Sequence, residues 1–333
     1  MADTLSTTQQ PRDDEIVKSG GVGSNRPRRG LPRRIGASWL GLVPFFAYIT
    51  IFFLVPIGFI LYNAFVKKTT SASTVRDPVT QQFVHTSTTS FGGSNIAESL
   101  KGVYRTSLIN TLQLSAIVAI VGAVFGILLA YAVVNSGSEL LKQIVTSASA
   151  VTANFGGIPL AFLFIATVGN AGVLTTFLND HFGFSLQSDL HFQLATITGI
   201  ALVYMYFLVP LMVLVMTPAL EGLKPQWAEA AENLGASRWH YWRFVAGPVL
   251  LPNFLGSVLL LFCSSFSAYA TANALAGQSF PLVPTQIASV LSGNVLSGQE
   301  NLGAALALDM IVVVLPLTVV YQLLQRRTTR WLS

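Results

Sequence analysis

The chain has 333 residues, 52% of them hydrophobic and 10% charged, where an average soluble domain carries about 25% charged residues. That deficit excludes an ordinary water-soluble domain and predicts a protein that crosses a membrane several times. The formal charge of +5 does not make the chain a nucleic-acid binder: seven of its 19 basic residues precede position 35, and Arg326, Arg327 and Arg330 close it. Basic clusters beside apolar segments are what the positive-inside bias produces.

In chain order, residues 1–34 are polar, rich in Gly and Pro and without an apolar period, which predicts a disordered cytoplasmic tail. The first apolar segment lies within residues 35–66. It starts late, runs long and lacks a small-residue cleavage site, so a retained span is expected rather than a secretory leader. Residues 67–105 read as a polar extracytoplasmic loop. Charge-free windows then place a second span between Arg105 and Glu139, a third between Lys142 and Asp180, and a fourth between Asp189 and Glu221. The window from Arg243 to Glu300 is longer than one span of about 20 residues needs. Its second half, GQSFPLVPTQIASVLSGNVLSGQE, is rich in turn-forming residues and reads as an outer loop or partly inserted segment after the fifth span. The sixth span runs from Leu302 to Leu324, and residues 326–333 form a basic cytoplasmic tail. Six spans put both termini on one face, and fourteen of the 19 basic residues then lie on the cytoplasmic side. The expectation is an all-α integral membrane protein, multi-pass, in the plasma (inner) membrane.

Pro159, Pro210, Pro218, Pro248, Pro252 and Pro316 fall in or near spans. Membrane helices tolerate proline where neighbours re-satisfy the backbone, so these residues support the class and identify no function. Cys263 stands alone in an apolar segment, which leaves no intrachain disulfide and no Cys-rich metal site. His85, His181, His191 and His240 are scattered without ligand spacing. No GxxxxGK[ST], HExxH or CxxC is present, so no catalytic, metal or nucleotide site is expected within the chain.

Between the fourth and fifth spans, at residues 219–245, the chain leaves its apolar pattern. Pro225 suits the first turn of a helix. Trp227, Ala230, Ala231 and Leu234 follow at i, i+3, i+4 and i+7, one helical face, while Gln226, Glu229, Glu232 and Asn233 lie elsewhere around it. Gly235 is placed to end the helix in a left-handed cap, and Ser237 to cap a second, aromatic and basic segment, RWHYWRFV. A two-turn helix is marginal in water by itself and needs a surface. The residues alone leave two surfaces open: the bilayer, or a groove on a partner protein.

The stretch EAAENLG, followed by Val245 and Pro248, resembles the EAA loop of binding-protein-dependent ABC importer permeases. The family pattern is EAA, three residues, G, nine residues, I, one residue, LP. Glu229, Ala230, Ala231, Gly235 and Pro248 match it, and Val245 replaces Ile. Gly247 departs from it, standing where the family has Leu, which is expected to loosen packing at the base of the fifth span. The resemblance extends over residues 103–325, including TSLINTLQLS at the start of the second span. It implies a six-helix type I ABC importer permease (MetI-like) fold of the polyamine, phosphonate, sulfate and ferric-ion group, with five of the helices in a core at residues 106–325. It also implies that Trp227, Glu229, Ala230, Ala231, Leu234 and Gly235 form a coupling helix docked on a separate ATPase. Implied partners are two ATP-binding cassette subunits, a second permease subunit, identical or homologous, and an extracytoplasmic binding protein. ATP and magnesium would belong to the ATPase, leaving no cofactor in this chain.

Asp309 is the one formal charge inside the sixth span, roughly 10 Å along the helix from Leu302 at 1.5 Å per residue. An acid in a membrane marks either a solute pathway or an interhelical hydrogen bond. Asn110, Asn154, Tyr269 and Asn273 are further pathway candidates, the last two in the unusually polar stretch SSFSAYATANALAG. The solute expected is small and polar or charged, polyamine-like first. Two rival classes remain: an ion-gradient-driven secondary transporter using Asp309, and a membrane scaffold that docks a soluble partner.

Overall fold

The computed structural model describes residues 42–76, 83–292 and 301–329. The expected disordered tail at 1–34 and the end of the basic tail, 330–333, lie outside the described residues, as do 293–300 of the expected outer segment. By internal contacts the chain divides at residue 53 into two units. In the first lies α1 (Val43–Ile49), with Pro44 in its first turn, and the π-helical turn Thr50–Leu54 follows it across the division; none of these residues is buried.

The second unit opens with α2 (Val55–Ala64). Where a polar loop was expected, the chain instead forms an antiparallel hairpin, β1 (Val66–Arg76) with β2 (Phe83–Phe91), pairing Val66 with Phe91 and Ala72 with His85. A short helix, α3 (Ser94–Ser99), follows it. The strands are rich in Thr, Ser and Val, of which Thr and Val favour extended backbone, and they write no apolar alternation. Two asparagines fix the base of the hairpin. Asn95 Nδ2 donates to the Val66 carbonyl at 2.9 Å, and Asn301 Nδ2 donates to the same oxygen at 2.5 Å.

The long helices are α4 (Gly102–Asn135), α8 (Ile197–Glu221), α11 (Gly247–Ser267) and α14 (Leu302–Thr329). α4 buries a stripe of small residues, Ser115, Ala119, Gly122, Ala123, Gly126 and Ala130, at helical spacing. Small side chains let helix backbones approach where no hydrophobic effect drives them together. The contact is closest at Gly126, where a Cβ would overlap Met212 Cβ on α8, and Gly122, where it would lie 3.3 Å from Leu261 on α11. Tyr204, Leu208 and Met212 of α8 sit fully buried in this core.

Among the described residues six stretches are long and apolar enough to cross a membrane: Val43–Ala64, Gly102–Asn135, Ile158–Phe182, Ile197–Glu221, Arg238–Ser267 and Leu302–Leu323. The third charge-free window holds more than a span. Its first part is a separate amphipathic helix, α5 (Glu139–Asn154), capped by Ser138 Oγ accepting from the Leu141 N–H. The span is the broken pair α6 (Ile158–Val168) and α7 (Val173–Phe182). The expected outer segment is likewise partly helical, with α12 (Ala270–Ala276) before it and α13 (Val283–Leu291) inside it.

Candidate functional site

The loop between α8 and α11 folds as its residues predict. α9 (Pro225–Asn233) starts on Pro225 and has no buried residue. Gly235 takes φ +76°, in the left-handed region. Its N–H donates to the Glu232 carbonyl at 2.8 Å, and the Ala236 N–H donates to Ala231 at 2.9 Å. These are the paired bonds of a Schellman cap, which satisfies the last carbonyls of α9. Ser237 then caps α10 (Arg238–Tyr241), its Oγ accepting from the His240 N–H at 3.4 Å.

Within this loop Glu229 and Ala230 are exposed, Ala231 is half-buried, Trp227 is 37% exposed and Leu234 86% exposed. α9 is a nine-residue helix with no fully buried residue, closed at its C-terminus by the Schellman cap and displaying Leu234, and so short a helix is marginal in water by itself. Gly247 has a local role in the turn before α11. A π turn, Trp242–Ala246, precedes it, its N–H bonds the Trp242 carbonyl, and a Cβ there would lie 2.6 Å from that oxygen. Glycine at this position lets the chain close tightly, whereas leucine would push the turn open.

A cleft of about 790 Å³ separates the loop from the α4–α5 turn. At its edge, Lys142 Nζ lies 2.5 Å from Glu221 Oε1 at the end of α8 and 3.8 Å from Glu139 Oε2 on its own helix. Hydrogen bonding to Glu221, helped by the charge of Glu139, raises the Lys142 pKa above its ordinary value against a smaller opposing desolvation.

The five pathway candidates fall in three places. Asn110 Nδ2 donates to the Pro281 carbonyl at 3.1 Å, and the neighbouring Thr111 Oγ1 accepts from the Val283 N–H at 2.9 Å. Asn110 thus belongs to a clamp that holds the start of α13 on α4. Asp309 is half-buried beside α3, with the Ser99 hydroxyl as its polar neighbour, and its Oδ2 has no hydrogen-bond partner. Asn154, Tyr269 and Asn273 flank a junction of two broken helices.

That junction was missed from the sequence. The α5–α6 break leaves Gly157 at φ +87°, and the α11–α12 break puts Ala268 in extended backbone. Buried Thr271 joins them: its Oγ1 accepts from the Gly157 N–H at 2.9 Å and faces the Gly157 carbonyl at 3.3 Å. Tyr204 Oη donates to the Ala268 carbonyl at 2.9 Å, so α8 holds the second break from behind. Irregular backbone at membrane depth persists only where protein or water satisfies it. Tyr269 and Asn273 lie one turn apart on α12, opposite Thr271, and both are exposed, as is Asn154. The polar stretch SSFSAYATANALAG and the glycines of TANFGGIP, which allow tight packing or a break, are the sequence signals for this region, and neither indicates its partner.

The family model described as "Binding-protein-dependent transport system inner membrane component" matches residues 122–330. A putative ferric transport system permease protein of Haemophilus influenzae is 28% identical over 211 residues, covering 61% of this chain and 32% of its own length. The sulfate transport system permease protein of Escherichia coli is 32% identical over 170 residues, 50% of this chain and 57% of its own. A spermidine/putrescine transport system permease protein of Haemophilus influenzae is 30% identical over 129 residues, 39% of this chain and 49% of its own. The chain therefore spans only a third to somewhat over half of these relatives. Among solved structures, a chain of a bacterial ABC transporter involved in the import of alginate superposes with a TM-score of 0.66 at 16% identity, over 87% of this chain and 94% of that one. At that identity the likeness is one of fold.

Proposed function

The chain belongs to the family of binding-protein-dependent transport system inner membrane components, a multi-pass membrane family, and from that premise we propose that it is the permease half-pathway of an ATP-driven importer. α9 is its coupling helix. The observation that carries this reading is α9, capped at its C-terminus and without a fully buried residue, with Glu229, Ala230 and Leu234 at its surface. Such a helix gains its stability from what it docks on, and a separate ATPase subunit fits the EAA pattern. Two such ATPases, a second permease and an extracytoplasmic binding protein complete the assembly, with ATP and magnesium held by the ATPases. Both termini face the cytoplasm in this reading, as the basic residues near Arg34 and Arg326 require. ATP-driven closure of the ATPases moves the docked loops and switches the pathway between its two openings.

The solute passes between the two permease subunits, along the exposed face of Asn154, Tyr269 and Asn273. It is small and polar or charged. The relatives' names cover a metal ion, an oxyanion and polyamines, which supports that class without favouring the polyamine over the others.

The test is purification of the chain from mild detergent with its ATPase, compared with Glu229→Arg. We expect ATP hydrolysis to co-purify with the native chain and to be lost with the variant. Retention in both would remove the docking role of α9. The rival secondary transporter rests on the unpaired Oδ2 of Asp309. It predicts instead that Asp309→Asn stops transport while Glu229→Arg leaves it intact.

A further inference from the structure

α5 runs from the coupling loop to the helix-break junction. Its 16 residues make a rod of about 24 Å at 1.5 Å per residue. At its first turn Lys142 grips Glu221, the last residue of α8, four positions before α9 begins at Pro225. At its far end Asn154 closes the helix, and Gly157 hydrogen-bonds Thr271. Between those ends α5 packs along α8. The ion pair thus closes the end of the α5–α8 contact next to the loop, at the edge of the cleft that Lys142 lines with Ala228, Arg238 and Tyr241.

We propose that Lys142 is a positioning residue of the transport cycle, tying α5 to the coupling loop so that displacement of α9 passes through Glu221 to α5 and on to Asn154 and the Gly156–Gly157 break. The inference rests on α9 being the ATPase-docking helix. Lys142 suits the task chemically. Its ammonium offers three donors on a flexible stem, so it can hold Glu139 on its own helix and Glu221 on α8 while the two shift. Its side chain is 32% exposed and that of Glu221 37%. An ion pair this exposed adds little to stability, so its removal leaves the fold in place. Gly156 at the other end meets nothing within 4 Å at its Cβ position, and Gly157 stands in a conformation that other residues rarely adopt, so the break has room to flex.

The experiment uses the permease–ATPase complex in lipid nanodiscs, with Cys263→Ser as background and spin labels at Val151 on α5 and Leu129 on α4, both exposed. Label separation is read without nucleotide and after trapping with ATP and vanadate. In the otherwise native complex the separation is expected to shift on trapping. Lys142→Gln is expected to retain the ATPase and lose the shift, and the charge swap Lys142→Glu with Glu221→Lys to restore it. A shift that survives Lys142→Gln overturns the tie while leaving α9 docking intact. So does a native complex that shows no shift, or a loss that the swap does not restore. Failure of the ATPase to co-purify with the native chain overturns the docking reading, and the tie with it.

Discussion

Replacing Gly235 by Ala separates the stability of α9 from that of the membrane core. Gly235 holds φ +76°, where an L side chain costs about 1–2 kcal/mol. Nothing crowds its Cβ position, so the penalty is purely one of backbone conformation. The two cap bonds, Gly235 to Glu232 and Ala236 to Ala231, depend on that conformation. α9 buries no residue, so no packing energy absorbs the loss. The population of the docked helix should fall by about 5–30-fold, at tenfold per 1.4 kcal/mol. The assay is titration of the solubilised chain with its ATPase, alongside thermal unfolding. Affinity is expected to drop by about tenfold for Gly235→Ala and to recover largely in Gly235→Asn, because asparagine tolerates the left-handed region. The melting temperature should not move. Unchanged affinity with a lowered melting temperature would refute the reasoning, because it would place Gly235 in the core instead of in the docking element.

Three further outcomes follow from the packing and the charges. Thr271→Val strips the Gly157 N–H of its acceptor inside the junction and should cost about 1–3 kcal/mol, read as lowered thermal stability in detergent, while Thr271→Ser keeps it. Gly126→Val overpacks the α4–α8 contact against Met212 and should cost about 1–3 kcal/mol, read as reduced folded yield and melting temperature. The Lys142 tie should be insensitive to pH through neutrality. Because its folded pKa is raised above the ordinary value of 10.5, the contribution is full below that value and lost as pH rises through the higher folded one. Separation of the Val151 and Leu129 labels followed to alkaline pH checks this, and loosening at neutral pH would contradict it.

The parts of the site written in local residues were legible. Pro225 starting α9, Gly235 ending it and Ser237 capping α10 each act within four residues of themselves, and the EAA spacing lies on the same short stretch. The six spans were legible because apolar length alone sets them. What stayed hidden depends on distant partners. Thr271 meets Gly157 across 114 positions, and Tyr204 meets Ala268 across 64. The hairpin was hidden for another reason: its Thr- and Ser-rich strands carry no apolar alternation to announce them. α5 was merged into the third span because absence of charge marks a window but does not show where a helix within it leaves the membrane.

The Val66 carbonyl receives Asn95 from 29 residues downstream and Asn301 from 235 residues downstream. A chain made from its N-terminus meets these two partners at very different times. Asn95 closes the hairpin base early, when α2 and α3 are already made. Asn301 arrives only after the first five spans have been synthesised, at the threshold of α14. The second bond at the base of the hairpin therefore cannot form until synthesis has reached the final span.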